Sequence, residues 1–224
     1  MPSADRPRRI LVLATMIKNI DVAEDTDNLL CQDTGIPIYN ITIGRGVEVD
    51  GIDLKAAIRK GCERATTEYP LRSSIVHPMT RENEHTSCGH RVPVITVDFS
   101  DQPDELVIEM IPKGSGSENG SFLKMCIPAE GVGGIMTFVV DKVIEAGGKV
   151  CPPTIVGVGV GGTADLCTKL AKIAAIRPLG SVCGDPEGAK LELELTDAVN
   201  SLGIGPQGLG GDSTSFAVHV ETAA

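Results

Sequence analysis

The chain has 224 residues, 42% of them hydrophobic and 22% charged, proportions that exclude wholesale disorder and leave room for one or two small domains. Its 30 acidic against 20 basic side chains give a formal charge of −10, which repels polyanions and excludes a counterion-releasing nucleic-acid surface. Gly 26 and Pro 14 specify many turns, while the absence of Trp and the presence of only 2 Tyr and 4 Phe leave few aromatic anchors.

Residues 1–9, with two Pro and three Arg, read as a flexible arm. The apolar run Ile10 to Ile17 is too short to span a bilayer, and no small-residue cleavage site follows it. Seven Cys, an odd number scattered along the chain, argue against a secreted disulfide framework and for cytosolic thiols or a metal site. A cytoplasmic location is the expectation.

From Ile10 to about Asp25, Leu13, Ile17, Ile20 and Ala23 recur at helical spacing, and a loop then reaches Cys31. Ile36, Ile38, Ile41 and Ile43 mark β structure, which a Gly44-Arg45-Gly46 turn is expected to join to Val47–Val49 as a hairpin. Asp53 is placed to cap a helix running to Ala65, whose Leu54, Ala57, Ile58, Cys62 and Ala65 form one stripe, with Cys62 in the core. Val92–Phe99 and Leu106–Ile111 alternate about a turn and read as a second hairpin. A helix over Ile135–Ala146, stopped by two glycines, precedes a buried strand over Thr154–Val160. A helix carrying Leu166, Leu170 and Ile173 follows, then one over Glu187–Leu202, then a terminal strand with Phe216, Val218 and Val220. No repeat or compositional break demands a linker. The expected fold is therefore one mixed α/β (α+β) unit over residues 10–224, with mixed-direction β-sheets flanked by helices. The last strand reaches Ala224 with no closing element, so the domain reads as incomplete at its C-terminus.

Several segments carry groups suited to chemistry. Cys31-Gln32-Asp33-Thr34-Gly35 sets a thiol, an amide, a carboxylate and a hydroxyl before a glycine, and reads either as a site or as a turn in which Asp33 and Thr34 cap local amides. Pro112-Lys113-Gly114-Ser115-Gly116-Ser117-Glu118-Asn119 is either an anion-receiving loop of backbone amides beside a cation or a plain solvent loop. Cys151-Pro152-Pro153 holds a thiol against stiff backbone, as suits a metal ligand or a buried cysteine before a strand. Gly157 to Gly162 satisfies G-x-G-x-x-G between a strand and a helix. The acid that a dinucleotide site needs roughly 20 residues later is replaced by Pro178-Leu179-Gly180, so close helix–strand packing is the rival reading. His85-x-x-Cys88-x-His90 offers three zinc-type ligands without a fourth nearby. Five glycines between Gly203 and Gly211 exceed what a hairpin needs and point to close backbone approach.

Jointly, Cys31–Gly35, Pro70-Leu71-Arg72, Pro112–Asn119, Cys151–Pro153 and Gly203–Gly211 resemble, in order, the iron–sulfur hydro-lyases: class I fumarate hydratase and the α subunit of L-tartrate dehydratase. The resemblance implies a [4Fe–4S] cluster with an open iron, Cys31 and Cys151 as two of its three cysteine ligands, and a third cysteine beyond Ala224. It implies Asp33 as the proton-handling carboxylate, Gln32 and Thr34 as hydrogen-bond partners of substrate oxygens, and Arg72 as the fork for one carboxylate. Lys113 and Gly114 would receive the other carboxylate. The implied reaction is reversible addition or removal of water on a four-carbon dicarboxylate, fumarate or L-tartrate. The proton-abstracting group is expected from a second domain or β subunit, so a homo- or hetero-oligomer is implied. Ser87-Cys88-Gly89-His90-Arg91-Val92-Pro93 departs from the family's Asn-Thr-Gly-Asp-Asn-Thr-Pro, leaving Cys88 as a conceivable substitute ligand. The rival function is a non-catalytic zinc- or nucleotide-binding α/β domain built on the same loops.

Overall fold

The structure is a computed structural model that describes residues 6–224. Two compact units emerge although the composition shows no break: one comprises residues 16–118, the other residues 119–224 with the start of the first helix. Helix α1 spans Arg6–Thr26, so the expected arm is corrected over residues 6–9, which are already helical, while residues 1–5 lie outside the described residues. Asp27, at φ 50°, and a hydrogen bond from Asn28 N to Ala23 O end it.

In the unit of residues 16–118, β1 (Ile36–Arg45) is followed by α2 (Gly51–Glu68), β2 (Val94–Pro103), β3 (Leu106–Lys113) and the single turn α3 (Ser115–Glu118). The sheet order is β2-β1-β3, with β1 parallel to β2 and antiparallel to β3. Both expected hairpins are therefore corrected. Val47–Val49 forms no strand, and β2 and β3 do not pair, because β1 occupies the position between them. The chain from β2 to β3 crosses the end of β1 at Gly44, where a Cβ would lie 2.4 Å from Gln102 O and 2.7 Å from Glu105 O. Only glycine fits under that crossing.

Helix α2 buries Ile58, Cys62 and Thr66, which confirms Cys62 as a core residue; its Sγ lies 3.3 Å from the Tyr39 hydroxyl. Burial, then the neighbouring Cys62 thiol, raises the Tyr39 pKa. The cap sits three residues earlier than expected: Asp50 Oδ1 accepts from Ile52 N at 2.8 Å and Asp53 N at 3.2 Å. Asp50→Ala is expected to cost about 1 kcal/mol of stability, and Asp53→Ala only a few tenths, as read by urea denaturation. Equal effects would mean that the cap is misassigned.

In the other unit, α4 (Gly131–Ala146) ends at Gly147 with φ 50°. Strands β4 (Thr154–Val160) and β5 (Ser215–Thr222) pair in parallel, which requires a crossover, and α5 (Ala164–Ile176) and α6 (Pro186–Ser201) provide it. Val139, Val158, Leu191, Leu195, Val199, Val218 and Val220 form one buried cluster, each aliphatic side chain contributing about 1.5–3 kcal/mol on burial. Helix α6 also serves the outer side of β5: Val218 N donates to Thr196 Oγ1 at 3.1 Å and Val220 N to Glu192 Oε1 at 2.8 Å. Glu192 is balanced by Arg177 Nη1 at 2.8 Å, so the buried carboxylate is paired. The described residues form an α+β fold with parallel and antiparallel pairing, and none of their helices is long and apolar enough to cross a membrane.

Candidate active site

In the first unit, the segment after α1 returns to the sheet through Cys31–Gly35 and lies against the loop that follows β3. Gly35 has φ +79°, and a Cβ there would stand 2.6 Å from the Lys113 carbonyl carbon and oxygen. Glycine is thus what lets the two backbones touch. The Asp33 carboxylate occupies the junction: Oδ1 accepts from Gly35 N at 3.1 Å, and Oδ2 from Ser115 N at 2.9 Å. Gly114 leaves room for it, since a Cβ there would come within 3.3 Å of Asp33 Oδ2. The turn reading of the motif therefore holds for Asp33, which caps a local amide and also ties together two distant loops.

Arg72 meets the same segment twice, at Thr34 and at Asp33. Its backbone N donates to Thr34 Oγ1 at 2.8 Å, and its Nη2 lies 3.9 Å from Asp33 Oδ1, with the Arg72 side chain 56% exposed. Such exposure leaves guanidinium donors available to a further carboxylate. Thr34 fixes the Arg72 backbone, a task additional to the substrate contact expected of it. Lys113 Nζ donates to Ser117 Oγ at 2.7 Å and lies 3.6 Å from Glu118 Oε2. Gln32 is exposed at the surface, and Cys31 is exposed with its Sγ accepting from Asp33 N at 3.4 Å. Asp33, Thr34, Arg72, Lys113 and Gly114 are thus gathered around one junction.

Sequence reasoning missed Ser115, whose amide and hydroxyl both approach Asp33. The signal was Ser-x-x-Glu at Ser115–Glu118, a helix-start spacing that aims backbone N–H groups outward.

The other unit carries the second cysteine. Cys151 is exposed and left-handed at φ 56°, held by its N donating to Gly148 O at 3.3 Å. Gln207 N donates to Pro152 O at 2.7 Å, and a Cβ on Gly208 would lie 2.7 Å from Gly148 Cα. The glycine-dense loop is therefore packed against the Cys151 loop, the close approach that its composition suggested. Cys31 and Cys151 belong to different units, and no group of three His, Cys, Asp or Glu able to hold a metal is assembled among the described residues.

The matching family spans nearly the whole sequence: residues 3–224 match the family described as fumarate hydratase (Fumerase). The chain belongs to the fumarate hydratase family. A Methanocaldococcus jannaschii protein provisionally named L(+)-tartrate dehydratase subunit alpha is 47% identical over 213 residues, covering 94% of this chain and 75% of that protein. The L(+)-tartrate dehydratase subunit alpha of Escherichia coli K12 is 34% identical over 214 residues, covering 96% of this chain and 70% of that one. Membership of the fumarate hydratase family makes the chain a hydro-lyase.

The rival readings fare differently on this fold. A Cβ on Gly157 would lie 2.0 Å from Ala171 O, and one on Gly159 2.1 Å from Cys167 O, so the glycines of G-x-G-x-x-G admit α5 directly onto β4. Cys88 is buried at 3% exposure with its Sγ 3.6 Å from Arg59 O, and burial followed by the Cys62 thiol pushes it up to about 11. A thiol so enclosed is poorly placed to reach a metal, which counts against Cys88 as a substitute ligand and against the zinc set with His85 and His90.

Proposed function

We propose that this chain supplies one part of the active site of a cytoplasmic hydro-lyase that adds water to, or removes it from, a four-carbon dicarboxylate, fumarate or L-tartrate. The observation that carries the reading is the Asp33 carboxylate, gripped by the N–H groups of Gly35 and Ser115 with the Arg72 guanidinium beside it. A carboxylate so positioned can hold or pass a proton without first reorganising. Arg72 takes one substrate carboxylate in a two-pronged grip, and Gln32 and Thr34 meet substrate oxygens. Lys113 and the Gly114 loop place positive charge and backbone amides toward the second carboxylate.

Cys31 and Cys151 fit a [4Fe–4S] cluster in their donor chemistry, since both are exposed free thiols on loops rather than core residues. Such a cluster, when bound, supplies a Lewis-acidic iron to the oxygen being gained or lost. The names of the relatives as α subunits support a β partner that brings the proton-abstracting group and excludes water. Arg72→Lys in the assembled enzyme keeps the charge but loses the fork, so kcat/KM is expected to fall by roughly tenfold or more with the visible cluster absorption unchanged. An unaltered kcat/KM would remove Arg72 from the clamp.

The test of the whole reading is anaerobic reconstitution with iron and sulfide, with and without the β partner, followed by assays of fumarate and L-tartrate consumption. Turnover is expected only in the complete assembly. Failure of the complete assembly to turn over either dicarboxylate would refute the proposal.

A further inference from the structure

In the unit of residues 16–118, Arg72 borders a second space besides the Asp33 junction: a cavity of about 590 Å³ walled by the end of α2, by Leu71–Ser73 and by Asn83 and His85. Leu71 is the single apolar side chain among the described residues that line it, and no carboxylate among them faces it. His90 lines a different cavity, beside Lys55 and Arg59, so the two histidines of His85-x-x-Cys88-x-His90 have separate surroundings. The loop that carries His85 is fastened to Ser73, the residue after Arg72, at two points. Asn83 Nδ2 donates to Ser73 O and Ser87 N to Ser73 Oγ, each at 3.0 Å, while Asn83 Oδ1 accepts from His85 N at 2.8 Å. His85 and Ser87 are left-handed, at φ 58° and 55°, a conformation that costs a non-glycine residue and persists where surrounding contacts impose it. His85 is thus set beside Arg72 by a fixed backbone.

The hydrogen-bonding capacity of this lining is selective. Thr66 Oγ1 donates to Cys62 O and Thr67 Oγ1 to Glu63 O, each at 2.8 Å, so both hydroxyls offer the cavity only lone pairs. Ser73 Oγ accepts from Ser87 N and keeps its own proton to give. A neutral imidazole at His85 donates from one ring nitrogen and accepts at the other. A carboxylate cannot satisfy such walls, because it has no proton for the two threonine oxygens. A hydroxyl gives and takes at once, and it can.

We propose that this cavity receives a substrate hydroxyl that stays on the carbon chain while the other is lost, and that His85 is the specificity residue selecting the dihydroxy acid, L-tartrate, over fumarate. The inference rests on the dicarboxylate hydro-lyase reading above. Arg72 borders both the Asp33 junction and the cavity, so a carboxylate in its fork brings the neighbouring carbon and its hydroxyl to the cavity mouth. A dicarboxylate without that hydroxyl leaves the threonine oxygens and the imidazole without a substrate partner, and a site built to hydrogen-bond a hydroxyl turns that loss into selectivity.

Wild type, His85→Met and His85→Gln test this in the enzyme assembled with its β partner. Steady-state kinetics are measured on L-tartrate and on fumarate, together with the inhibition constant of succinate, a dicarboxylate of the same length without hydroxyls. Met and Gln are similar in length and meet the same left-handed backbone, so the difference between them isolates hydrogen bonding. Wild type is expected to have the larger kcat/KM on L-tartrate. His85→Met should lower that value by roughly tenfold or more while moving the succinate constant by less than about twofold, and His85→Gln should recover most of the loss. A wild-type preference for fumarate, an L-tartrate loss matched by equal weakening of succinate, or equal effects of Met and Gln would each overturn the assignment of His85 and leave the hydro-lyase reading standing. Turnover of neither substrate by wild type would remove that reading and this one together.

Discussion

Asp33→Asn in the fully assembled enzyme is expected to lower kcat by about 10²–10⁴ while changing KM much less. An amide is isosteric with the carboxylate but has one acceptor oxygen, so it keeps either the bond from Gly35 N to Oδ1 or that from Ser115 N to Oδ2 and holds the junction of the two loops less tightly. What disappears is the ability to hold and release a proton, together with the negative charge 3.9 Å from Arg72. The loss of that charge frees the guanidinium for substrate, so KM should stay level or fall. Steady-state kinetics on fumarate and L-tartrate, with visible absorption to confirm an intact cluster, separate these outcomes. A rise in KM with kcat unchanged would make Asp33 a binding group and leave proton transfer to another residue.

Gly159→Ala is expected to destabilise the chain by about 3 kcal/mol or more, or to prevent folding altogether. Its Cβ would sit 2.1 Å from Cys167 O and 2.7 Å from Ala171 N, both backbone atoms of α5 that cannot rotate aside. The helix must lift off β4, opening the cluster that contains Val158. Gly61→Ala, on the exposed face of α2 with nothing within 4 Å, makes the same chemical change and is expected to stabilise by roughly 0.5–1 kcal/mol. Denaturant midpoints measured side by side give the two signs. Tolerance of alanine at Gly159 would show that the tight packing of α5 on β4 is not what the glycine is for.

The elements of residues 119–224 were legible, most within a residue or two, because they carry their own stops; only the start of α4, at Gly131 rather than Ile135, was hidden by its glycines. Gly147 ends α4, Pro186 opens α6 behind Asp185, and the apolar spacing between them has one period at a time. The sheet of residues 16–118 was legible as strands but not as a sheet. Local turn signals nominated neighbours in sequence, whereas the partners of β1 are chosen by burial of Ile38 and Ile41 between two strands that arrive much later. The site shows the same division. Cys31–Gly35 could be read because its groups are contiguous, but the grip of Ser115 on Asp33 spans 82 positions, and the local Ser-x-x-Glu spacing marks a helix start without naming its partner. Asp50 was passed over for Asp53 since both are acids near a helix start, and only the backbone angles at the boundary distinguish them.

The position of β1 between β2 and β3 also governs how the chain reaches its fold. β1 is the first of the three strands to be synthesised, and its side-chain bond from Thr96 Oγ1 to Asn40 Oδ1 already spans 56 positions. No hairpin can close early to seed the sheet, since β1 and β2 pair across an intervening helix, so loop-closure entropy must be met before any ladder rewards it. Folding of this unit is therefore non-local and slow relative to a hairpin-built sheet of the same size. During synthesis β1 waits with both edges open until Val94–Pro103 has left the ribosome and with one edge open until Leu106–Lys113 follows, and in that interval its Ile36-Pro37-Ile38 stretch is exposed to pairing with other chains.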